Sequence, residues 1–302
     1  MSVRNWFTLA ILSILWGGSF LFVELAVPSL SVLSIVWLRV AGGALVLGLW
    51  LAAARGTVPK GVRVWAALLV MGLLNNALPF SLFVLAQGQI TSGLASILNA
   101  TTPLWTVLVA HHLTKDERLS WAKIAGLALG FLGVLVIAGG DMGRGGANIW
   151  AILACLGAAL SYGFAAVWGR RFKVMGLAPI AVAFGMLASA AAVLLPLWLV
   201  VDVPWAMAMP KADVLGAVVG LAVFSTALAY ILYFRLLASA GATMVSLVTF
   251  VIPASAIGLG FVVLGEGVSP YDLGGLALIL AGLLAMDGRV WHGGIGQFRL
   301  RS

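Results

Sequence analysis

Two segments 150 residues apart carry the same set of polar side chains within apolar surroundings. In ASILNATTPLW, Ser96, Asn99 and Pro103 fall at i, i+3 and i+7; in VSLVTFVIPAS, Ser246, Thr249 and Pro253 match them one for one. That spacing puts each trio on one face of a helix. Proline removes a backbone donor and frees the carbonyl four residues earlier, here that of Asn99 and of Thr249. A freed carbonyl beside an amide or hydroxyl makes a short polar patch and invites a bend, so Pro103 and Pro253 are expected to act as hinges. Polar groups facing lipid are unfavourable, and both faces should therefore point inward, to protein or to a wet chamber. A kinked packing helix whose Ser and Asn bond their own backbone would also satisfy one such trio. Two matched trios favour the chamber.

A second pair of faces follows the same offset. Asn76, Phe80 and Phe83 stand at i, i+4 and i+7, with Asn75 and Pro79 adjoining; Thr226, Tyr230 and Tyr233 repeat the pattern. One polar group followed by two aromatics suits the wall of a small-molecule pocket, which is apolar with a few orienting groups. Trp16 and Phe20, and Tyr162 and Trp168, are expected to complete such walls. Glu24 and Arg39 are the ionisable groups furthest inside apolar runs, Arg39 roughly 12–14 Å below the nearer surface at 1.5 Å per residue. An ion pair between them is expected, holding the first two runs together. His111 and His112 lie beside Lys115 at the end of a run, away from any chamber.

Other chemistries lack their residues. Cys155 is the one cysteine, which excludes a disulfide framework or a thiolate metal cluster. Walker A, HExxH and GxSxG patterns and paired intramembrane aspartates are all missing. Ser96 or Ser246 would need a histidine that the chain does not supply nearby. No catalytic residue, metal or cofactor is expected, and the chain reads as a non-enzyme. A selective channel would want a charged or carbonyl-lined ring, and the sequence shows none.

The elements that must hold these residues follow from composition. Of 302 residues, 63% are hydrophobic and 9% charged, more apolar than one soluble core can absorb. A membrane span takes about 20 apolar residues. Ten runs qualify, roughly 5–26, 30–53, 63–87, 92–113, 119–139, 147–169, 177–200, 212–237, 242–264 and 270–287. Barrel-type alternation is missing, so they are predicted helices. The first is too long for a signal peptide's apolar core. With the N-terminus cytoplasmic, every basic residue except Arg39, Arg144 and Lys211 falls on the cytoplasmic side, the positive-inside pattern. Topology thus accounts for the net charge of +8, and no nucleic-acid partner is expected. Trp6, Trp65, Trp121 and Trp291 lie near run ends, as interfacial anchors do.

The repeat extends over the chain. GLAL occurs at 126–129 and 275–278, each nine residues after a glutamate, Glu117 or Glu266. Trp16-Gly17 aligns weakly with Tyr162-Gly163, and the seam is the glycine-rich GGDMGRGGAN at 139–148. The expected units are 1–140 and 141–302, the second ending in a short basic cytoplasmic tail. Five spans per half is an odd number, so the halves must enter the membrane in opposite senses. Such inverted repeats mark transporters, with the substrate site at their interface. Glycines at Gly126, Gly130 and Gly133, Gly216 and Gly220, and Gly274, Gly275 and Gly282 are expected to let helices approach closely. One chain holds both halves, so a monomer should suffice.

These motifs also carry a resemblance. LWGGSF from Leu15 to Phe20, the arginine of WLR at Arg39, the PLW and PAS proline turns, and the ExxxxxxxxG pattern of Glu117–Gly126 and Glu266–Gly275 resemble the EamA-type members of the drug/metabolite transporter superfamily, over about residues 5–288. Within that family the likeness is to bacterial exporters of aromatic amino acids. The resemblance implies an all-α polytopic membrane protein with ten transmembrane helices, as two inverted five-helix repeats around a central cavity. It implies a cavity lined by the first, third, fourth, sixth, eighth and ninth spans, with both termini cytoplasmic. It implies export of aromatic and other neutral amino acids across the bacterial inner membrane, the partners being that substrate and membrane lipid; alternating access, with the halves rocking around Pro103 and Pro253, is the expected motion. A multidrug or other metabolite efflux carrier, with or without proton coupling, is the alternative. The residues themselves suggest a mostly uncharged cavity with no dedicated clamp for a carboxylate or an ammonium.

Overall fold

The computed structural model describes residues 2–115, 117–142 and 149–286, with side-chain surroundings not described at 141–142, 242–244 and 246. Every secondary-structure element among them is helical. Eight helices are long and apolar enough to cross a membrane: α1 (Val3–Ala26), α2 (Val32–Ala53), α3 (Val62–Gln87), α4 (Ser92–Leu113), α5 (Trp121–Met142), α6 (Ile149–Val174), α7 (Pro179–Asp202) and α8 (Ala212–Gly241). Two shorter apolar helices follow, α9 (Val248–Leu264) and α10 (Pro270–Met286). The chain is an all-helical polytopic membrane protein. Large apolar side chains such as Leu45, Leu132, Leu135, Phe261 and Val262 stay exposed on its outside, as lipid-facing surfaces require.

Local sequence explains where the helices start and stop. Ser2, Ser31 and Thr91 cap α1, α2 and α4 by accepting from Asn5, Ser34 and Leu94 amides. Pro179 opens α7 where a missing N–H costs nothing. Gly241, with φ 77° and ψ 172°, breaks the backbone after α8, a conformation open to glycine. Helical turns resume through Ser246, and Leu247 is a turn before α9.

Among the described residues four helices are wound more widely for one turn: α7 and α9 at their ends, over Trp198–Asp202 and Gly260–Leu264, and α3 and α8 in their middles. A π turn covers Leu73–Ala77 in α3 and another covers Val223–Leu228 in α8, again 150 residues apart. Pro79 follows the first and removes a donor from it; Ala229 stands in that place after the second, so proline accounts for the first alone.

The helices of the first half pack on those of the second in matched pairs. The α1 helix lies on α9, and α6 lies on α4. At these crossings a Cβ on Gly17 would stand 2.9 Å from the Ala256 amide, and one on Gly163 would stand 3.0 Å from the Trp105 carbonyl carbon. Ser255 ties the first crossing by donating to the Ser13 carbonyl at 2.7 Å. Likewise α2 packs on α8 and α7 on α3, while α2 meets α7 and α5 meets α10. The α5–α10 pair is closely packed: added Cβ atoms at Gly126 and Gly133 would come within 2.5 Å of the Gly282 and Gly275 carbonyl oxygens. Those four glycines and Gly130 serve packing as their spacing predicts, and Gly220 packs on Phe22; Gly216 and Gly274 meet nothing within 4 Å.

At one end, Trp37 and Trp198 stack at 3.9 Å, the Trp198 indole donates to Ser34, and Ser31 and Ser34 donate to Asp202. This cluster fastens α2 to the end of α7.

Candidate functional site

Between the halves lies a chamber of about 800 Å³. Its wall comes from α1, α2, α3, α4, α6, α7, α8 and α9. At one end it stops at Val23, Val84 and Gln87; at the other it reaches Phe172, Lys173, Leu177 and Pro179, of which Lys173 and Pro179 are exposed. The chamber is therefore closed by α1 and α3 and open beside the α6–α7 turn.

Most of the aromatic wall stands where the sequence puts it. Trp16, Phe20, Phe80, Phe83, Tyr162, Thr226, Tyr230 and Tyr233 line the chamber, as do Asn99 and Thr249. Phe20 meets Phe83 edge-on at 5.7 Å, Phe83 lies over Tyr162 at 6.2 Å, and Trp16 leans on Tyr233 at 5.5 Å. These contacts knit α1, α3, α6 and α8 into one aromatic surface.

Five expectations need correcting. Asn76 is fully buried behind the wall, 3.4 Å from the Tyr230 hydroxyl, and its neighbour Asn75 takes the chamber position, donating to that hydroxyl at 3.0 Å. The reason is the π turn: its wider winding brings residues five apart onto one face, so Asn75 rather than Asn76 aligns with Phe80. The same shift adds Ser225 to Thr226 opposite. Ser96 is sealed inside α4 and donates to the Gly93 carbonyl at 2.6 Å, a packing role. Trp168 turns outward from the chamber, donates to the Ala67 carbonyl at 3.0 Å and carries the Arg171 guanidinium on its ring; Ala165, Ala166, Gly169 and Phe172 line the wall instead. The side chain of Ser246 lies outside the described residues.

The fourth correction concerns charge. Glu24 and Arg39 do not pair. Glu24 accepts from the Gln87 amide at 3.3 Å, while Arg39, 7% exposed, donates from Nε to Thr226 Oγ1 at 3.0 Å and lies 3.6 Å above the Phe80 ring. Arg39 and Lys173 are the only charged groups among the chamber-lining residues described, so the wall carries two cations and no carboxylate. Sequence reasoning missed Arg39 as a wall residue because Glu24 is its obvious partner along the chain.

The proline hinges also shift. In α4 the break is at Ala100–Thr101, where Thr101 and Thr102 turn their hydroxyls back to the Leu98 and Asn99 carbonyls at 2.6 and 2.7 Å. Pro103 sits in the first turn of the resumed helix, where its missing donor is harmless. Pro253 lies inside continuous α9, and the break there is Leu247.

Gln87 is the group sequence reasoning passed over. Its amide donates to the Phe20 carbonyl at 2.8 Å as well as to Glu24, and its own carbonyl oxygen is buried without a partner. Beyond it a second hollow of about 1130 Å³ is lined by Glu24, Gln87, Gln89, Glu266 and Asp272. Gln87 thus stands between two cavities. Nearby, Glu266 accepts from the Ser92 amide at 2.9 Å and the Ser92 hydroxyl at 2.8 Å, capping α4 with an anion at its positive end.

Eight helices long and apolar enough to span, two shorter apolar ones, and an interior chamber that both halves build define a multi-pass membrane protein of the carrier type. The EamA-like transporter family model matches the chain twice, over residues 5–139 and 149–286, and the chain belongs to that family. It is 28% identical over 272 residues to the "Uncharacterized inner membrane transporter YedA" of Escherichia coli K12, covering 89% of this chain and 86% of that one. It is 27% identical over 292 residues to the "Uncharacterized transporter YvbV" of Bacillus subtilis, covering 94% and 92%, and 24% identical over 286 residues to an "Uncharacterized transporter" of Archaeoglobus fulgidus, covering 93% and 98%. A crystal structure 19% identical to it superposes with a TM-score of 0.68 over 98% of this chain and all of the other, a likeness of fold. The family is one of transporters rather than enzymes.

Proposed function

We propose that this chain is an inner-membrane exporter of aromatic and other neutral amino acids that works by alternating access between two inverted five-helix repeats. The observation that carries the reading is the aromatic chamber built by both halves and closed at one end only. Its apolar walls with a few amides and hydroxyls suit an apolar side chain on a polar backbone. Reciprocal packing, the paired π turns and the twofold family match support the inverted duplication, and with it the units 1–140 and 141–302. The basic loops, Lys173 among them, lie at the open end, so by the positive-inside pattern the chamber faces the cytoplasm and both termini lie there. The named relative of the Escherichia coli inner membrane fits that location.

Efflux of cationic drugs is the second reading, and the wall disfavours it. A cavity whose charged groups are both cations repels a cationic substrate. Counterflow into proteoliposomes decides between them, using labelled phenylalanine, tryptophan, methionine, threonine and a cationic dye, with and without a pH gradient. Internal unlabelled phenylalanine is expected to accelerate entry of the aromatic amino acids. Silence from all four amino acids, with gradient-driven dye uptake, would replace this reading by multidrug efflux.

A further inference from the structure

We infer that Arg39 is the anion-binding subsite of the chamber, taking a substrate carboxylate edge-on through its two terminal nitrogens. The inference rests on reading the chamber as the substrate site and adds the chemical group that the site recognises.

Three constraints fix the guanidinium. Phe80 covers one face of its plane at 3.6 Å, and Nε is committed to Thr226 Oγ1 at 3.0 Å. The side chain is buried in α2 where that helix meets the π turn of α8. What remains is the edge carrying both Nη groups. Among the described residues no hydrogen bond or ion pair engages them, and neither is among the buried polar atoms sealed off without a partner. They open on the chamber that Arg39 lines. A planar fork fixed at its stem and free at its tip matches a carboxylate held by two parallel hydrogen bonds.

The charge balance points the same way. A buried cation calls for an anion, and among the described residues no carboxylate pairs with Arg39. Glu24 is bonded to Gln87, Asp202 to Ser31 and Ser34, Glu266 to the start of α4, and Glu117 to Lys123 and Arg170. The counter-ion must come from what enters. Lys173 at the open end has the same sign and draws anionic groups inward. A chamber that loses its water as it closes strands Arg39 unless a carboxylate travels with it, so closure itself discriminates.

Three ligands that differ in one group test the assignment by binding, without transport. They are phenylalanine, 3-phenylpropionate, which keeps the carboxylate alone, and phenethylamine, which keeps the ammonium alone. Tryptophan fluorescence of the purified protein in lipid nanodiscs reads their affinities. Phenylalanine and 3-phenylpropionate are expected to bind about ten- to a hundredfold more tightly than phenethylamine, the range of one charge-assisted contact. Arg39→Gln should erase that preference, weakening both carboxylates and leaving phenethylamine bound as tightly or more tightly, while Arg39→Lys, a point charge without the fork, keeps part of it. Thr226→Val, which frees the guanidinium stem, should weaken both carboxylates severalfold. Should Arg39→Gln fail to fold, the wild-type ranking and Arg39→Lys still decide. Equal binding of phenylalanine and phenethylamine overturns the Arg39 site while leaving an amino-acid carrier intact. Binding of 3-phenylpropionate without phenylalanine keeps the site and overturns the amino-acid reading. No binding by any of the three overturns the inference, as does a preference that survives Arg39→Gln.

Discussion

Asn75 and Asn76 share a side chain and a hydrogen-bond partner, yet only Asn75 touches the chamber. Removing the Asn75 amide takes away a hydrogen bond at the wall, about 1 kcal/mol or roughly fivefold in an equilibrium. Asn75→Ala is therefore expected to raise the half-saturating substrate concentration about fivefold in vesicle uptake. Asn76→Ala should leave that concentration within about twofold and act on thermal stability instead. Equal effects on uptake would return both residues to packing. The aromatic wall was legible in sequence because its members repeat at one offset. The asparagine was misplaced by one residue because a π turn leaves no dependable mark: Pro79 follows the one in α3 and Ala229 the one in α8. Arg39 was misread for another reason. Its partner Thr226 is 187 positions away, and nothing local announces that α2 and α8 meet.

Among the elements, α5 and α10 make the sharpest case of packing written in composition. Neighbouring glycines on α10 face opposite fates. A Cβ on Gly275 would meet the Gly133 carbonyl oxygen at 2.6 Å, a backbone atom that cannot swing aside, whereas one on Gly274 meets nothing within 4 Å. Gly275→Leu is expected to cost at least about 3 kcal/mol and to lower the thermal midpoint of the purified protein by several degrees or prevent its accumulation. Gly274→Ala should leave the midpoint unchanged or raise it slightly, since alanine favours helix. The reverse order would mean that this helix pair is not packed as described. Apolar runs gave helix ends to within a few residues, as at 92–113, because charged and Gly/Pro punctuation is sharp between spans. Breaks inside spans were harder. In α4 the interruption depends on Thr101 and Thr102 turning back to carbonyls, a choice that proline position alone does not reveal.

At the scale of the molecule, two similar halves enclose one chamber, closed where Gln87 bonds to α1 and open beside the α6–α7 turn. The duplication could be read from paired motifs at one offset, and so could a chamber between the halves. Which end is closed could not be read, because it depends on a glutamine amide reaching Phe20, 67 positions away, and on which side chains swing outward. Thiol accessibility tests this arrangement most directly. Cys155 is buried, and Cys155→Ala gives a background without cysteine in which Asn99→Cys places one thiol on the chamber wall. In sealed vesicles of known sidedness, a membrane-impermeant maleimide should label that thiol from the cytoplasmic side and hardly at all from the outside. Adding Gln87→Ala, which removes both closing hydrogen bonds, should raise labelling from the outside severalfold. Equal labelling from both sides without that change, or none from either, would contradict a chamber that opens to one side of the membrane at a time.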